Sequence, residues 1–413
     1  MAIVTSRQRK ADRLQRRWGI LGKPVTGRSA AVVLLGLAAL WLTLGVTVAG
    51  VVPKSMAGRT LGVFLFDARA GAASAVTVTA TGNLNEFAAA GSLARRALLR
   101  DPTSVDAVAA LGLMRLAKSD RVRANRLFSY AYRLSRRDFG TLIWRIQERI
   151  QANDVDGALQ LYDIAMRTSA KAPPILLPTL ARAVRNPYVA QRVDVMLARN
   201  PFWMTAFFEP LVQVGEPKAL FALTRGRLSL KREADQFLTR AAVSRFLREG
   251  RLDRAWSFYD SVAGAAGRIA MIRNGNFESP PIVPPMDWSL AQDPALSGLL
   301  QVRPNGGSAA LFLYSEDERS GEAARQLLKL PAGKLLFTAK TGDVSTRGKA
   351  PAVRLECAEG SPIFNASLTP NAVSVPFVVP AGCPFQWLVL EAGQRRLDEP
   401  VPWIDDIRID KVG

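Results

Sequence analysis

Twenty-four consecutive residues without a charge, Ser29 to Val52, constrain this chain more than any other feature in it. At about 1.5 Å per residue a helix of that length crosses the roughly 30 Å hydrocarbon layer with some tilt to spare. Arg28 closes the run on one side and Pro53-Lys54 on the other, and residues 1–28 hold eight Lys or Arg against the single acid Asp12. Basic flanks stay on the cytoplasmic side. Residues 29–52 therefore read as a transmembrane helix, residues 1–28 as a basic cytoplasmic leader, and everything beyond Pro53 as lying across the membrane. Ser55-Met56-Ala57 also resembles a small-residue cleavage site, which leaves a cleaved signal peptide as the alternative. Such a signal has an apolar core of about 7–15 residues, shorter than this run. Both readings put the body of the protein in one compartment, the periplasmic side of a bacterial inner membrane.

The formal charge of +20 is informative once it is located. Residues 92–264 carry 29 basic against 16 acidic residues, whereas residues 269–413 carry 14 against 16. The chain has no histidine, which removes the commonest general base and the commonest metal ligand together. The two cysteines, Cys357 and Cys383, cannot make a zinc site alone. Beyond the membrane, in an oxidising compartment, a disulfide between them is the expectation.

Residues 53–84, rich in Gly, Ala, Ser and Thr, read as a linker with no visible chemistry. From about Asn85 to residue 268 apolar residues recur at helical spacing. A frame beginning at Val105 places Leu111, Gly112, Ala124, Phe128 and Ala131 at regular positions, and 34 residues further on stand Ala158, Tyr162 and Ala165, small, aromatic and small again. Upstream, Ala90, Ala94, Ala97 and Pro102 continue the frame as a half unit. Downstream, Arg248 to Val262 repeats the second-helix pattern with Ala255 and Tyr259, out of phase. The stretch between, with PPILLP, NPYV and NPFW, reads as divergent helical pairs.

These residues, with the turn Asn153 to Ala158, resemble the tetratricopeptide repeat. The resemblance implies an α-solenoid whose stacked hairpins bind other proteins. Within it, Asn200 to Phe208 holds four aromatics, Phe202, Trp203, Phe207 and Phe208, which form either the core of a broken repeat or a partner or glycan groove. Arg121 to Arg137 carries six arginines, among them Arg126 and Arg133, that would arm one helix face. Nucleic acid is not available beyond the membrane, so an acidic polysaccharide or the anionic lipid surface is the matching counter-charge, unless the stripe is simply a solvated face.

Near Arg273 the pattern turns to alternation, in LLQV, AALFLY, RQLLKL, LLFTAK, AVRLEC, VSVPFVV and QWLVLEA, which predicts a β-sandwich over residues 269–413. Arg325 to Lys340 reads as a hairpin in its middle. The opening NGNFES (Asn274 to Ser279) with Trp288, and the closing WIDDIRI (Trp403 to Ile409), resemble the jelly-roll carbohydrate-binding modules and galactose-binding-like domains. That resemblance implies a structural calcium held by Glu278 with Asp405 or Asp406 and by Asn276, although the same acids could hydrogen-bond turn amides. Sugar binding would need exposed aromatic platforms, for which Trp288, Trp387 and Trp403 are the candidates; alternation also allows Trp387 a place in the core.

No carboxylate pair or nucleophile arrangement suits catalysis: Asp405 and Asp406 would point to opposite faces of a strand, and Glu316-Asp317-Glu318 reads as a loop. The expectation is a multidomain, non-enzymatic protein with one transmembrane helix, a tetratricopeptide-like all-α solenoid and an all-β jelly-roll sandwich. It would need no cofactor beyond that Ca²⁺, and its partners would be other envelope proteins, possible acidic glycans and the inner membrane.

Overall fold

The computed structural model describes residues 87–264, 271–303, 307–316, 319–345, 348–396 and 398–412, together with Leu40 and Ala72. The basic leader, the apolar run and the linker lie outside the described residues apart from those two. Among the described residues no helix is long and apolar enough to cross a membrane. The chain divides into two compact units, with the division between Ala172 and Pro173.

Among the described residues the first unit contains five helices, α1 (Phe87–Arg100), α2 (Val105–Ala117), α3 (Arg121–Leu134), α4 (Phe139–Gln151) and α5 (Val155–Thr168). The starts of α2 and α4, and of α3 and α5, are each 34 residues apart. The devices that start these helices recur at the same interval. Ser104, Asp120, Asp138 and Asp154 each accept a hydrogen bond from a backbone N–H three residues on, which satisfies one of the unpaired donors of a first turn. Ser119 and Asn153, 34 apart, both take the left-handed conformation that turns one helix into the next. Ala124, Phe128, Ala131, Ala158, Tyr162 and Ala165 are all buried. Gly112 shows why small residues hold the frame: a Cβ there would lie 2.9 Å from the Phe128 ring. Phe128 stacks on Trp144 of α4 at 4.6 Å, and the Trp144 indole donates to Asn125 at 3.0 Å, so consecutive hairpins are joined.

Among the described residues the second unit combines six helices with the sandwich. The helices are α6 (Ala172–Ala183), α7 (Pro187–Leu197), α8 (Met204–Val214), α9 (Pro217–Thr224), α10 (Glu233–Arg248) and α11 (Leu252–Ala263). Its strands are β1 (Ser289–Leu290), β2 (Gln292–Asp293), β3 (Leu296–Val302), β4 (Ala309–Ser315), β5 (Gly321–Leu328), β6 (Gly333–Gly342), β7 (Ala352–Cys357), β8 (Pro362–Ser367), β9 (Asn371–Val379), β10 (Gln386–Ala392) and β11 (Trp403–Lys411). They form a five-stranded sheet, β1-β5-β10-β7-β8, and a six-stranded sheet, β2-β3-β4-β11-β6-β9, antiparallel throughout. Residues such as Leu311, Leu313, Phe337, Leu355, Leu388, Leu390, Ile404 and Ile409 fill the core between them.

The segment Arg325 to Lys340 is not a hairpin. β5 pairs with β1 and β10 in one sheet, whereas β6 pairs with β9 and β11 in the other, so the intervening turn is a corner from sheet to sheet. The last helix packs on the sandwich side of this unit. The Arg273 guanidinium lies 4.6 Å from the ring centres of both Trp256 and Tyr259 on α11, and Trp256 also approaches Phe385 at 6.2 Å. The Arg273 backbone is read by a fully buried side chain: its N–H donates to Gln326 Oε1 at 3.0 Å and its carbonyl accepts from Gln326 Nε2 at 2.9 Å. Arg273 thus joins a helix face to a sheet, which is one physical reason the compact unit begins well upstream of residue 269.

Candidate functional site

Of the three tryptophans expected to form sugar platforms, Trp288 is fully buried. Its indole packs 5.3 Å from Phe277 and donates to the Asn274 carbonyl at 3.1 Å, so it is a core residue that ties down the opening motif rather than a platform. Trp387 and Trp403 are half-buried and face outward from opposite sheets. Each carries a guanidinium: Arg325 lies 4.9 Å from the Trp387 ring centre and Arg303 lies 4.9 Å from that of Trp403.

The surroundings of Trp403 are the more elaborate. In register it stands between Phe312 of β4 and Gly342 of β6. Its indole lies flat across that glycine, where a Cβ would sit 2.2 Å from the ring. The indole Nε1 donates to Asp343 Oδ2 at 3.1 Å. Arg303 reaches the buried Asp405 at 3.6 Å and donates to the Ser308 carbonyl at 3.3 Å. An indole held by glycine below and flanked by the Asp343 carboxylate and a guanidinium offers an apolar surface edged with donors and acceptors, the chemistry that orients a polar ring ligand. Arg303 and Asp343 escaped the sequence reading; the signal for them was Gly342 at the end of a strand of alternating residues, a mark of close approach.

The expected calcium ligands do not converge on a cation, because protein cations and backbone amides already satisfy them. Asp405 Oδ2 accepts from Ser308 Oγ at 3.0 Å beside Arg303, and its Oδ1 accepts the Asp406 N–H at 2.7 Å. Asp406 pairs with Lys340 at 2.7 Å, and that bond, aided by Lys340, Arg408 and Arg303 as charges, holds its pKa below the usual carboxylate range. Glu278 accepts the Ala309 N–H at 3.1 Å, and Asn276 is exposed. Among the described residues no group of three or more acids or cysteines is placed to hold a metal ion. The donor set does not fit Ca²⁺. The two ends of the sandwich are joined instead by the Ile407 N–H donating to the Gly275 carbonyl at 2.8 Å, in a space so tight that a Cβ on Gly275 would lie 2.3 Å from the Ile407 oxygen.

Cys357, at the end of β7, and Cys383, before β10, form a disulfide. In the helices, Trp203, Phe207 and Phe208 are buried and pack on one another, so three of the four clustered aromatics build core. Phe202 alone of the four projects, 68% exposed. Arg126 and Arg133 stand seven residues apart on one exposed face of α3, with Arg133 stacked 5.7 Å from Tyr130 between them.

The chain matches no protein-family model and no curated protein. Solved structures similar to it include a carbohydrate-binding module described as TmCBM61 in complex with β-1,4-galactotriose, 14% identical over 35% of this chain and 99% of that one, with a TM-score of 0.27. Another is pilF of Pseudomonas aeruginosa, 16% identical over 46% of this chain and 88% of that one, TM-score 0.22. A third is the enzymatically active domain of the tailspike protein 4 of bacteriophage CBA120, 11% identical with a TM-score of 0.27; the match covers 37% of this chain and spans only 22% of that protein. At such TM-scores these likenesses carry no functional inference.

Proposed function

We propose that the protein is a non-catalytic scaffold, anchored by residues 29–52 in a bacterial inner membrane with its bulk in the periplasm. Its helical hairpins hold protein partners and its sandwich touches glycan, during assembly or export of an envelope polysaccharide. The observation that carries the glycan part is the Trp403 platform, a half-buried indole edged by Asp343 and Arg303 on an outer sheet face. The partner-binding part is supported by the regular hairpins α2–α5, which present exposed faces on a rigid, repeated frame.

A second reading is favoured by one observation: both half-buried indoles already carry a guanidinium. A covered ring offers less to a sugar, and an arginine on an aromatic suits a protein interface. In that reading the chain is a purely protein-binding adaptor of a secretion or cell-division complex.

A glycan array followed by calorimetry on the full-length, detergent-solubilised protein separates the two. Saccharide binding that weakens by about tenfold or more in Trp403→Ala is the expected outcome, since the platform supplies the stacking face. No saccharide bound, with only proteins recovered on co-purification and mass spectrometry, leaves the adaptor reading.

A further inference from the structure

The helices of the second unit hold a cleft of about 750 Å³ between α9 and α11. α9 contributes Lys218 and Phe221, with Arg225 just past its C-terminus, and α11 contributes Arg254, Ser257 and Ser261, with Arg251 just before its first residue. Four cations therefore meet a single carboxylate, Asp253, and Arg251 already holds it at 3.4 Å. Among the described residues Lys218, Arg225 and Arg254 form no ion pair, so a surplus of positive charge is left facing the opening. The remaining lining is as informative. Ser257 and Ser261 donate their hydroxyl hydrogens back to the carbonyls of Asp253 and Phe258, each at 2.7 Å, which leaves their oxygens as acceptors. Phe221 forms an apolar wall, held by Phe258 at 5.4 Å edge to face and by Phe246 at 6.0 Å.

We infer that this cleft binds an acidic oligosaccharide. Its carboxylates or sulfates meet Lys218, Arg225 and Arg254, its hydroxyl hydrogens meet the serine oxygens and Asp253, and the C–H face of a ring lies on Phe221. The site goes beyond the sandwich platform and does not depend on it. A cleft of this size lies in the range of about 300–1,000 Å³ usual for small-ligand sites. An acidic peptide would also bring N–H donors, but spaced along one backbone; a sugar ring brings several hydroxyl donors together with the C–H face that fits Phe221.

The test is calorimetric titration of the full-length, solubilised protein with tetragalacturonate, a heparin tetrasaccharide, neutral cellotetraose and a hexaglutamate peptide. At least one acidic saccharide binds, with cellotetraose and hexaglutamate about tenfold weaker or more, and added salt weakens it because the contacts are ionic. Arg225→Gln costs about tenfold, Arg225→Lys less, and Lys218→Glu with Arg225→Glu about a hundredfold, since each removes a charge-assisted contact. Arg248→Gln, at an exposed arginine of α10 outside the lining, leaves this binding unchanged, which separates the cleft from a general attraction to basic surface. No binding of either acidic saccharide, hexaglutamate bound as tightly, undiminished affinity in the charge-reversed protein, or an equal loss in Arg248→Gln would each overturn the inference.

Discussion

In the hairpins α2–α5 the features that hold the fold lie close together in sequence and recur after 34 residues. Caps reach three residues, and the aromatic of one hairpin stacks on the next. In the sandwich the closing contacts join distant residues. Arg273 meets Gln326 across 53 positions, Ser308 meets Asp405 across 97, and Gly275 meets Ile407 at the two ends. A repeated local frame tolerates the loss of one unit's detail, because each hairpin depends chiefly on its neighbours. A sandwich closed by a few distant contacts has no such reserve. It is there that a disulfide is found, between β7 and the approach to β10, closing a loop of 26 positions and so removing freedom from the unfolded chain.

The contrast can be broken most forcefully at Trp288. Trp288→Ala removes a fully buried indole and its bond to Asn274, and is expected to cost about 3–5 kcal/mol. In urea titrations of the full chain read by hydrogen exchange, the sandwich transition moves while the protection of the hairpins α2–α5 keeps its midpoint. A common shift of both would show that the two regions do not melt separately. Reduction of Cys357–Cys383, or their joint replacement by alanine, is expected to cost the sandwich about 3 kcal/mol on the chain-entropy account. Retention of the transition at its oxidised midpoint after reduction would contradict that.

Gly112→Ala tests the other side of the contrast. The added methyl meets the Phe128 ring and should cost about 1–3 kcal/mol. The loss is expected in the helical transition alone, and a neutral substitution would mean that close approach is not what the frame demands. The smallest effect is one of pH. Burial raises the pKa of Asp287, against the opposing pull of the Trp288 and Ile282 N–H groups and of Arg273. A carboxyl with a raised folded pKa favours the protonated fold, so its contribution is present in acid and is lost as pH rises through that value. Asp287→Asn should remove that decline from thermal melts of the sandwich taken between acid and neutral pH. A variant whose melts decline as steeply as those of the natural chain would show that another group is responsible.

Much of the helical half was legible because its determinants are local. The spacing of Ala124, Phe128 and Ala131 against Ala158, Tyr162 and Ala165 marked both the frame and the buried face. The strands were legible as alternation, with two failures of different origin. β8, reading PIFNAS, is too polar and too short to stand out. The Arg325 to Lys340 corner has the look of a hairpin because nothing local states which sheet a strand will join; that choice is made by partners such as β10 and β11, far along the chain. Trp288 and the aromatics around Phe207 illustrate the same limit for sites, since an aromatic near turn residues reads alike whether it projects or is enclosed. For the acids at the sandwich ends, Arg303 and Lys340, which neutralise Asp405 and Asp406, come from just after β3 and from β6, segments that only the fold brings close. The cleft of Lys218, Arg225 and Arg254 was invisible for that reason too.

The proposed saccharide sites and the oxidising surroundings of the disulfide both require that residues 29–52 span a membrane with the folded bodies on its periplasmic side. A topology reporter fused after the last residue, in cells expressing the full-length chain, tests this directly. Activity confined to the periplasmic form of the reporter, with Cys357 and Cys383 protected from thiol labelling, is the predicted result. Activity confined to the cytoplasmic form, with both thiols free to react, would contradict it.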